Sequence, residues 1–288
     1  MSEQKPVIAL LYDFDKTLCT KDMQEYKFIP DVGMDSNAFW KESNDMARRE
    51  KMDGILAYMY VMLKRANAAN KPIRREDFVA LGKNLEFFPG VVDWFARINR
   101  AGKKRGVDIE HYIISSGLGE IIEGSSICKH FTEVYACEFH YNASGVADWP
   151  KNLVNYTTKT QFLFRVNKGI PDLSNDRDLN NYTPEDERRV PFRNMLYIGD
   201  GLTDVPCMRL VKSNGGFSIA VYTDASKNTV GELLAHNRVD FLAPADYSEG
   251  GALDIIVQEI IQKMSVTDSL RRRSIKQNKA LRPQTKKP

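Results

Sequence analysis

The chain has 288 residues, 42% hydrophobic and 27% charged, the balance of a globular protein that buries a sizeable core in one large domain or two modest ones. No apolar run reaches the roughly 18–20 residues of a membrane span, so no membrane partner is expected. The four cysteines (Cys19, Cys128, Cys137 and Cys207) lack disulfide or metal spacing and suit a reducing cytoplasm, the expected location.

The first apolar run, VIALLY (7–12), is interrupted by acids and has no small-residue cleavage site, so it reads as a core strand and not a signal peptide. It ends in DFDKT. In an extended chain residues i and i+2 share a side, which brings the carboxylates of Asp13 and Asp15 together. Such repulsion is tolerated where a cation or a reaction makes use of it.

Residues 20–88 carry apolar and aromatic positions at helical spacing, with Asp35 or Ser36 as an N-cap, and REDFVALGKNL reads as a further short helix. This is a helical insertion placed to act as a lid. FFPGVVDWFARINRAGKKRG then returns through a turn and a helix to IEHYIIS (109–115). EVYACEF (133–139) continues into a hairpin through YNASGVADW. Residues 169–194 read as a long polar loop with one helical turn at PEDERR. MLYIG (195–199), FSIAVY (217–222) and VDFLA (239–243) complete the strands. Continuous apolar runs alternating with helices predict an α/β fold, a doubly wound and mostly parallel sheet covered on both faces. Its site lies beyond the carboxyl ends of the strands. Residues 271–288 hold eight basic residues and no acid, which accounts for the net charge of +3. Residues 266–288 are expected to be a disordered, solvated tail, and nucleic acid is not expected as a partner despite its charge.

Asp200 follows MLYIG directly, Asp204 comes four residues later, and Gly199 and Gly201 let the backbone turn beside them. Facing Asp13 and Asp15, they make an oxygen-rich pocket that suits Mg²⁺. DFDKT resembles the DxDxT first motif of the haloacid dehalogenase superfamily of phosphohydrolases. IISSG is similar to the second motif, Lys159 in NYTTKTQFLFRVNKG to the third-motif lysine, and GDGLTD to the fourth motif, GDxxxD. The motifs span about residues 7–245, and a helical cap between the first two resembles the phosphoserine phosphatase branch.

The resemblance implies a Rossmann-like core (1–19 and 89–265), a helical cap (20–88) and a Mg²⁺-dependent phosphatase acting on a small phosphorylated metabolite. It implies Asp13 as nucleophile, forming an aspartyl-phosphate, and Asp15 as general acid and base. Asp13, Asp200, Asp204 and the backbone carbonyl of Asp15 would hold Mg²⁺. Ser115, with backbone groups near Phe14 and Ser116, and Lys159 would bind the phosphoryl group. Of the adjacent Ser115 and Ser116, Ser115 ends the apolar run and is preferred. Thr17 is expected to brace the first loop by a hydroxyl–backbone hydrogen bond. Lys151 and Lys168 are the alternatives to Lys159. The phosphoserine clasp of a Glu and a cap Arg does not align on Asp22, Glu25, Arg48 or Arg49, so a sugar phosphate, nucleotide or phosphorylated alcohol fits equally.

Cys19 is read as a bystander, because no Cys-x5-Arg pattern occurs. His111, His130, His140 and His236 form no metal-like spacing, and no GxxxxGK[ST] marks a P-loop. A phosphomutase of the same fold and a non-catalytic binding protein are the rival readings.

Overall fold

The computed structural model describes residues 5–281. In chain order it contains β1 (Val7–Tyr12), α1 (Phe28–Asp31), α2 (Ser36–Glu50), α3 (Gly54–Ala68), α4 (Arg75–Leu81), α5 (Val91–Lys104), β2 (Asp108–Leu118) and α6 (Gly119–Glu123). Then come β3 (Glu133–Tyr141), β4 (Ala147–Asn152), α7 (Lys159–Lys168), α8 (Asp176–Asn180), β5 (Met195–Gly199) and α9 (Val205–Ser213). β6 (Phe217–Tyr222), α10 (Lys227–Ala235), β7 (Phe241–Pro244) and α11 (Ala252–Leu281) close the fold.

The strands form one seven-stranded sheet in the order β4-β3-β2-β1-β5-β6-β7. Every pairing is parallel except β3 with the edge strand β4. This is the doubly wound α/β sheet that the apolar runs predict. β1 lies between β2 and β5, so the chain leaves it first to one side and later to the other. That reversal opens a crevice at the carboxyl ends of the central strands. Tyr12 pairs with Ile198 across β1 and β5, and the Asp13 N–H donates to the Ile198 carbonyl at 2.9 Å. Asp13 and Asp200 therefore leave adjacent strands at one rim.

Helices pack on the sheet through regular apolar stripes. Trp94, Phe95 and Ile98 of α5 are buried, as are Leu253, Val257, Ile260, Ile261 and Met264 of α11. Arg97 of α5 donates from Nε to Asp254 of α11 at 3.1 Å and from Nη2 to the Tyr247 carbonyl. Gly90, at φ +77°, meets the Tyr247–Ser248 backbone so closely that an added Cβ would lie 2.4 Å from it. Only glycine allows that approach.

Residues 20–88 are helices and 3-10 turns, apart from single bridges at Arg74 and Phe87. Asp35 caps α2 by accepting from Ala38 N at 2.9 Å. Asp53 caps α3 by accepting from Ile55 N and Leu56 N. The 169–194 segment carries α8 in addition to the helical turn at Glu185–Glu187. It is anchored by the buried Arg165, which donates to the carbonyls of Asp172 and Leu173.

The C-terminal expectation needs correction. α11 continues to Leu281, so residues 266–281 are helical and not a disordered tail. An i,i+4 pair, Arg272 with Asp268 at 2.6 Å, and contact between Arg271 and Asp186 give the basic segment partners that composition alone does not reveal. Residues 282–288 of that segment lie outside the described residues. Among the described residues no helix is long and apolar enough to cross a membrane.

A buried polar chain runs through the core between α5 and the sheet. Trp94 Nε1 donates to the Tyr12 hydroxyl at 2.9 Å, and Tyr12 in turn meets His111 Nδ1 at 3.0 Å. Tyr12 accepts from Trp94, so its own proton goes to Nδ1, and His111 Nε2–H donates to Asn99 Oδ1 at 3.0 Å. Every polar atom in the chain is thus satisfied with a neutral imidazole. Burial, then the nearby His130, push His111 from 6.5 down to about 3. The folded state therefore refuses a proton that the unfolded chain accepts. Its contribution is complete above the unfolded value and is lost as pH falls. Urea unfolding across a pH series should show the wild-type protein losing stability relative to His111→Gln as pH falls from about 6.5 to about 3. An unchanged slope in the variant would assign the acid lability elsewhere.

Candidate active site

The rim of β1 and β5 gathers Asp13, Asp200 and Asp204, with one carboxylate oxygen from each lying within 4.8 Å of the others. The local backbone explains the approach. Gly199 sits so close to Asp204 that a Cβ would lie 2.4 Å from Oδ2. Asp204 is wholly buried; its Oδ1 accepts from Lys159 Nζ at 2.7 Å and from the Tyr197 hydroxyl at 2.8 Å. Lys159 Nζ also donates to Asp13 Oδ1 at 2.7 Å. Asp200 makes no hydrogen bond among the described residues.

Lys159 opens α7 and is itself buried. Asn155 positions it: the Asn155 carbonyl accepts from Lys159 N at 2.8 Å, while Oδ1 accepts from the N–H groups of Thr157 and Thr158. Asn155 Nδ2 reaches Asp53 at the start of α3, tying the helical insertion to the lysine's turn. The two alternative lysines are engaged elsewhere: Lys151 with Glu138, and Lys168 with the Leu179 and Asn181 carbonyls.

Asp15 stands apart from the three-carboxylate cluster. Its Oδ1 accepts from Met23 N at 2.9 Å and from Cys19 Sγ at 3.5 Å. Burial, then the neighbouring Asp22 and Asp13, push its carboxyl well above the usual range. Burial also raises Asp13, to about 6, with Lys159 opposing and Asp204 adding to the rise. Asp200 is pushed up to about 8 by burial and by Asp13 and Asp204. Burial alone would lower the Lys159 ammonium, but Asp13 and Asp204 more than offset it and hold the charge.

The second-motif serines fall at an irregularity in β2. Ile114 pairs with Tyr135 but Leu118 pairs with Cys137, so β2 carries extra residues there. The bulge is closed by Gly117 N donating to Ser115 Oγ at 2.9 Å. Ser115 Oγ accepts there and keeps its own proton free to donate. Ser116 Oγ is buried without a hydrogen-bond partner, while the Ser116 carbonyl accepts from the Tyr58 hydroxyl at 2.7 Å. These bonds do not choose between Ser115, which ends the apolar run, and Ser116, and strand alternation does not choose either, because it does not survive a bulge. The expectation for Thr17 is corrected. Its hydroxyl is buried and unpartnered; its carbonyl is what braces the loop, accepting from the Tyr247 hydroxyl at 2.9 Å.

These groups line one cavity of about 360 Å³. Asp13, Asp15, Ser115, Ser116, Lys159 and Asp200 form one side; Gln24, Trp40, Ile55 and Tyr58 from the insertion form the other. Larger grooves exist, but none gathers these carboxylates. Sequence reading missed Gln24, Tyr197 and Asn155. The last had a readable signal: Asn-x-Thr-Thr before a helix is an Asx-turn pattern.

The residues fit a divalent cation. Three carboxylates face a single ammonium, all the donors are oxygens, and burial, with repulsion among the acids adding to it, raises Asp13 and Asp200. In the metal-free protein both acids hold protons that the unfolded chain has released, so stability falls as pH rises from near 4 toward about 8. Added Mg²⁺ should raise Tm more at alkaline than at acidic pH, and Asp200→Asn should remove most of that difference. Calorimetric scans of the two proteins with and without the ion check this; an equal Mg²⁺ shift in the variant would exclude Asp200 as a ligand.

Residues 10–209 match the family described as haloacid dehalogenase-like hydrolase. An uncharacterized protein of Borreliella burgdorferi is 29% identical over 280 residues, covering 88% of this chain and 96% of that one. A HAD family hydrolase from Salmonella enterica serovar Typhi shares the fold at TM-score 0.55 and 15% identity, over 89% of this chain and 72% of that one. A substrate-bound phosphoserine phosphatase does so at TM-score 0.53 and 14% identity, over 83% and 93%.

Proposed function

The chain belongs to the haloacid dehalogenase-like hydrolases, and from that membership we propose that it is a Mg²⁺-dependent phosphatase that hydrolyses a small phosphomonoester through a phosphorylated Asp13. The observation that carries the reading is the divergent setting of its first two acids. Asp13 lies 2.7 Å from an ammonium, whereas Asp15 lies in a buried, acid-rich corner with no cation in contact. Two carboxyls whose surroundings drive them apart can serve as nucleophile and general acid at one pH.

In the first step Asp13 Oδ attacks phosphorus and the bond to the ester oxygen breaks. Asp15 passes its proton to that oxygen, which leaves as an alcohol. In the second step Asp15, now ionised, takes a proton from water as the water oxygen attacks phosphorus. The phosphorus–Asp13 bond breaks, inorganic phosphate leaves and the Asp13 carboxylate is restored. Lys159 neutralises charge on Asp13 and Asp204 and offers its ammonium to the phosphoryl oxygens. Ser115 and Ser116 each have a hydroxyl proton to donate to the phosphoryl group, and Ser115 also holds the bulge that presents them. Asp13, Asp200 and the Asp15 carbonyl would hold Mg²⁺, with Asp204 orienting the ion's surroundings and Lys159; the ion would supply the positive charge that lets an anion approach an anion. The helical insertion serves as the lid. The cytoplasm remains the expected location.

Inorganic phosphate release from an aryl phosphate tests this directly. Asp13→Asn should lower kcat by about 10³-fold or more, and Asp15→Asn by ~10²–10⁴-fold. Asp13→Asn retaining full turnover would remove Asp13 as nucleophile, and an isomerised ester in place of free phosphate would indicate a mutase. Among the serines, alanine at the phosphate contact should raise KM and lower kcat/KM by about tenfold, and the larger loss of Ser115→Ala and Ser116→Ala identifies it. No loss in either variant would remove both hydroxyls from the phosphate site.

A further inference from the structure

Resting on the phosphatase reading above, we propose that Asp53, a residue of the insertion that does not line the cavity, is a positioning residue for turnover: it ties the seat of Lys159 to the lid. Its carboxylate has two roles on separate oxygens. Oδ1 caps α3, accepting from Ile55 N at 2.9 Å and Leu56 N at 3.1 Å. One acceptor oxygen suffices for a cap, since serine and threonine serve there as well. Oδ2 is left over, and it accepts from Asn155 Nδ2 at 2.9 Å. The amide has only one workable orientation. Asn155 Oδ1 accepts from Thr157 N at 3.0 Å, Thr158 N at 2.8 Å and the Thr157 hydroxyl at 2.9 Å, so the nitrogen is the end that meets Asp53.

What Asn155 holds is the start of α7. Its carbonyl accepts from Lys159 N at 2.8 Å, and its N–H donates to the Thr158 hydroxyl at 2.8 Å. Every polar group of this asparagine is therefore engaged with residues 157–159, except the Nδ2 that reaches Asp53. The same helix makes a second contact with the phosphoryl end of the site. Farther along α3 the Tyr58 hydroxyl donates to the Ser116 carbonyl at 2.7 Å, and Ile55 between the two ties lines the cavity. At 1.5 Å of rise per residue the ties lie about 7.5 Å apart along the helix axis. A single tie would let α3 pivot, whereas two set its direction across the cavity. A lid seated on both therefore fixes the turn from which Lys159 Nζ reaches Asp13 and Asp204, each at 2.7 Å. Misplacing such a group by about 1 Å costs up to ~10²-fold in rate, so a lid that releases Asn155 loosens the ammonium that the phosphoryl group meets.

Exchanging the two side chains isolates the bond. Asp53→Asn keeps Oδ1 for the cap but sets one amide nitrogen against another, and Asn155→Asp sets carboxylate against carboxylate. The double variant restores one donor and one acceptor at unchanged net charge. Asp53→Ser keeps the cap and drops the tie. With Mg²⁺ and an aryl phosphate, kcat/KM should fall by about tenfold in each single variant and return to within about threefold of wild type in the double variant. Amide hydrogen exchange over residues 157–159, read without substrate, should quicken by about tenfold in the single variants and slow again in the double. Full turnover in Asp53→Asn and Asp53→Ser, or a double variant no better than the worse single, overturns this inference. Faster exchange with undiminished kcat/KM also overturns it, by leaving Asp53 a merely structural tie. If the wild-type protein releases no phosphate, the hydrolase reading falls, and the exchange pattern alone decides whether Asp53 holds the Lys159 turn.

Discussion

One ammonium holds the rim together. Lys159 Nζ lies 2.7 Å from both Asp13 and Asp204, in a place where all three side chains are hidden from water. Without it, the ends of β1 and β5 would bring like charges together in a low-dielectric setting, where repulsion is strongest. Much else serves to place that one atom. Asn155 builds the turn before α7, and Tyr197 and Gly199 fix the carboxylate on the far side. Asp53 joins Asn155 to the insertion, so the lid and the charge bridge share a support. The compensation is incomplete, because Asp200 has no such partner. This shortfall leaves the rim with an excess of carboxylate and not a closed ion-pair network.

The helical insertion contributes in two distinct ways. Its first turn enters the core: Met23 N binds Asp15, and the Met23 sulfur lies 3.0 Å from Leu118 N at the bulge of β2. A Cβ on Gly117 would lie 2.2 Å from Met23 Cε and 2.8 Å from Asp15 Oδ2. Asp15, bulge and insertion therefore pack as one unit at Gly117. The later helices α2 and α3 furnish Trp40, Ile55 and Tyr58, which face the cavity without touching the carboxylate cluster. The carboxylate rim and the outer wall thus come from different segments.

What could be read from the chain was what periodicity and order report. The strands 7–12, 195–199 and 217–222 coincide with β1, β5 and β6, because buried parallel strands are unbroken apolar runs with sharp polar ends. Asp13 and Asp200 meet because strand order brings their strands side by side, which follows once the alternating pattern is seen. The serines resisted such reading. Alternation assigns faces only in a regular strand, and the extra residues after Ile114 cancel it. Thr17 was misjudged for a related reason: its hydroxyl is idle while its carbonyl bonds a tyrosine 230 residues away, a long-range contact invisible to local pattern. The helix beyond residue 266 was hidden by charge: Asp186 meets Arg271 only when the chain is folded, although the i,i+4 pair of Asp268 and Arg272 was legible in the sequence.

The Tyr247 contact bears on how the protein is made. The loop that carries Asp13 leaves a ribosome some 230 residues ahead of Tyr247. It is held from one side by β5, from the other by β2, and at Thr17 by a residue close to the final helix. Tyr247 is in turn clasped by Arg97, whose guanidinium is oriented by Asp254. At translation rates of about 5–20 residues per second, Asp13 waits roughly ten to fifty seconds for the last of these supports to emerge. During that interval the nascent chain has its acids but no finished cradle for them.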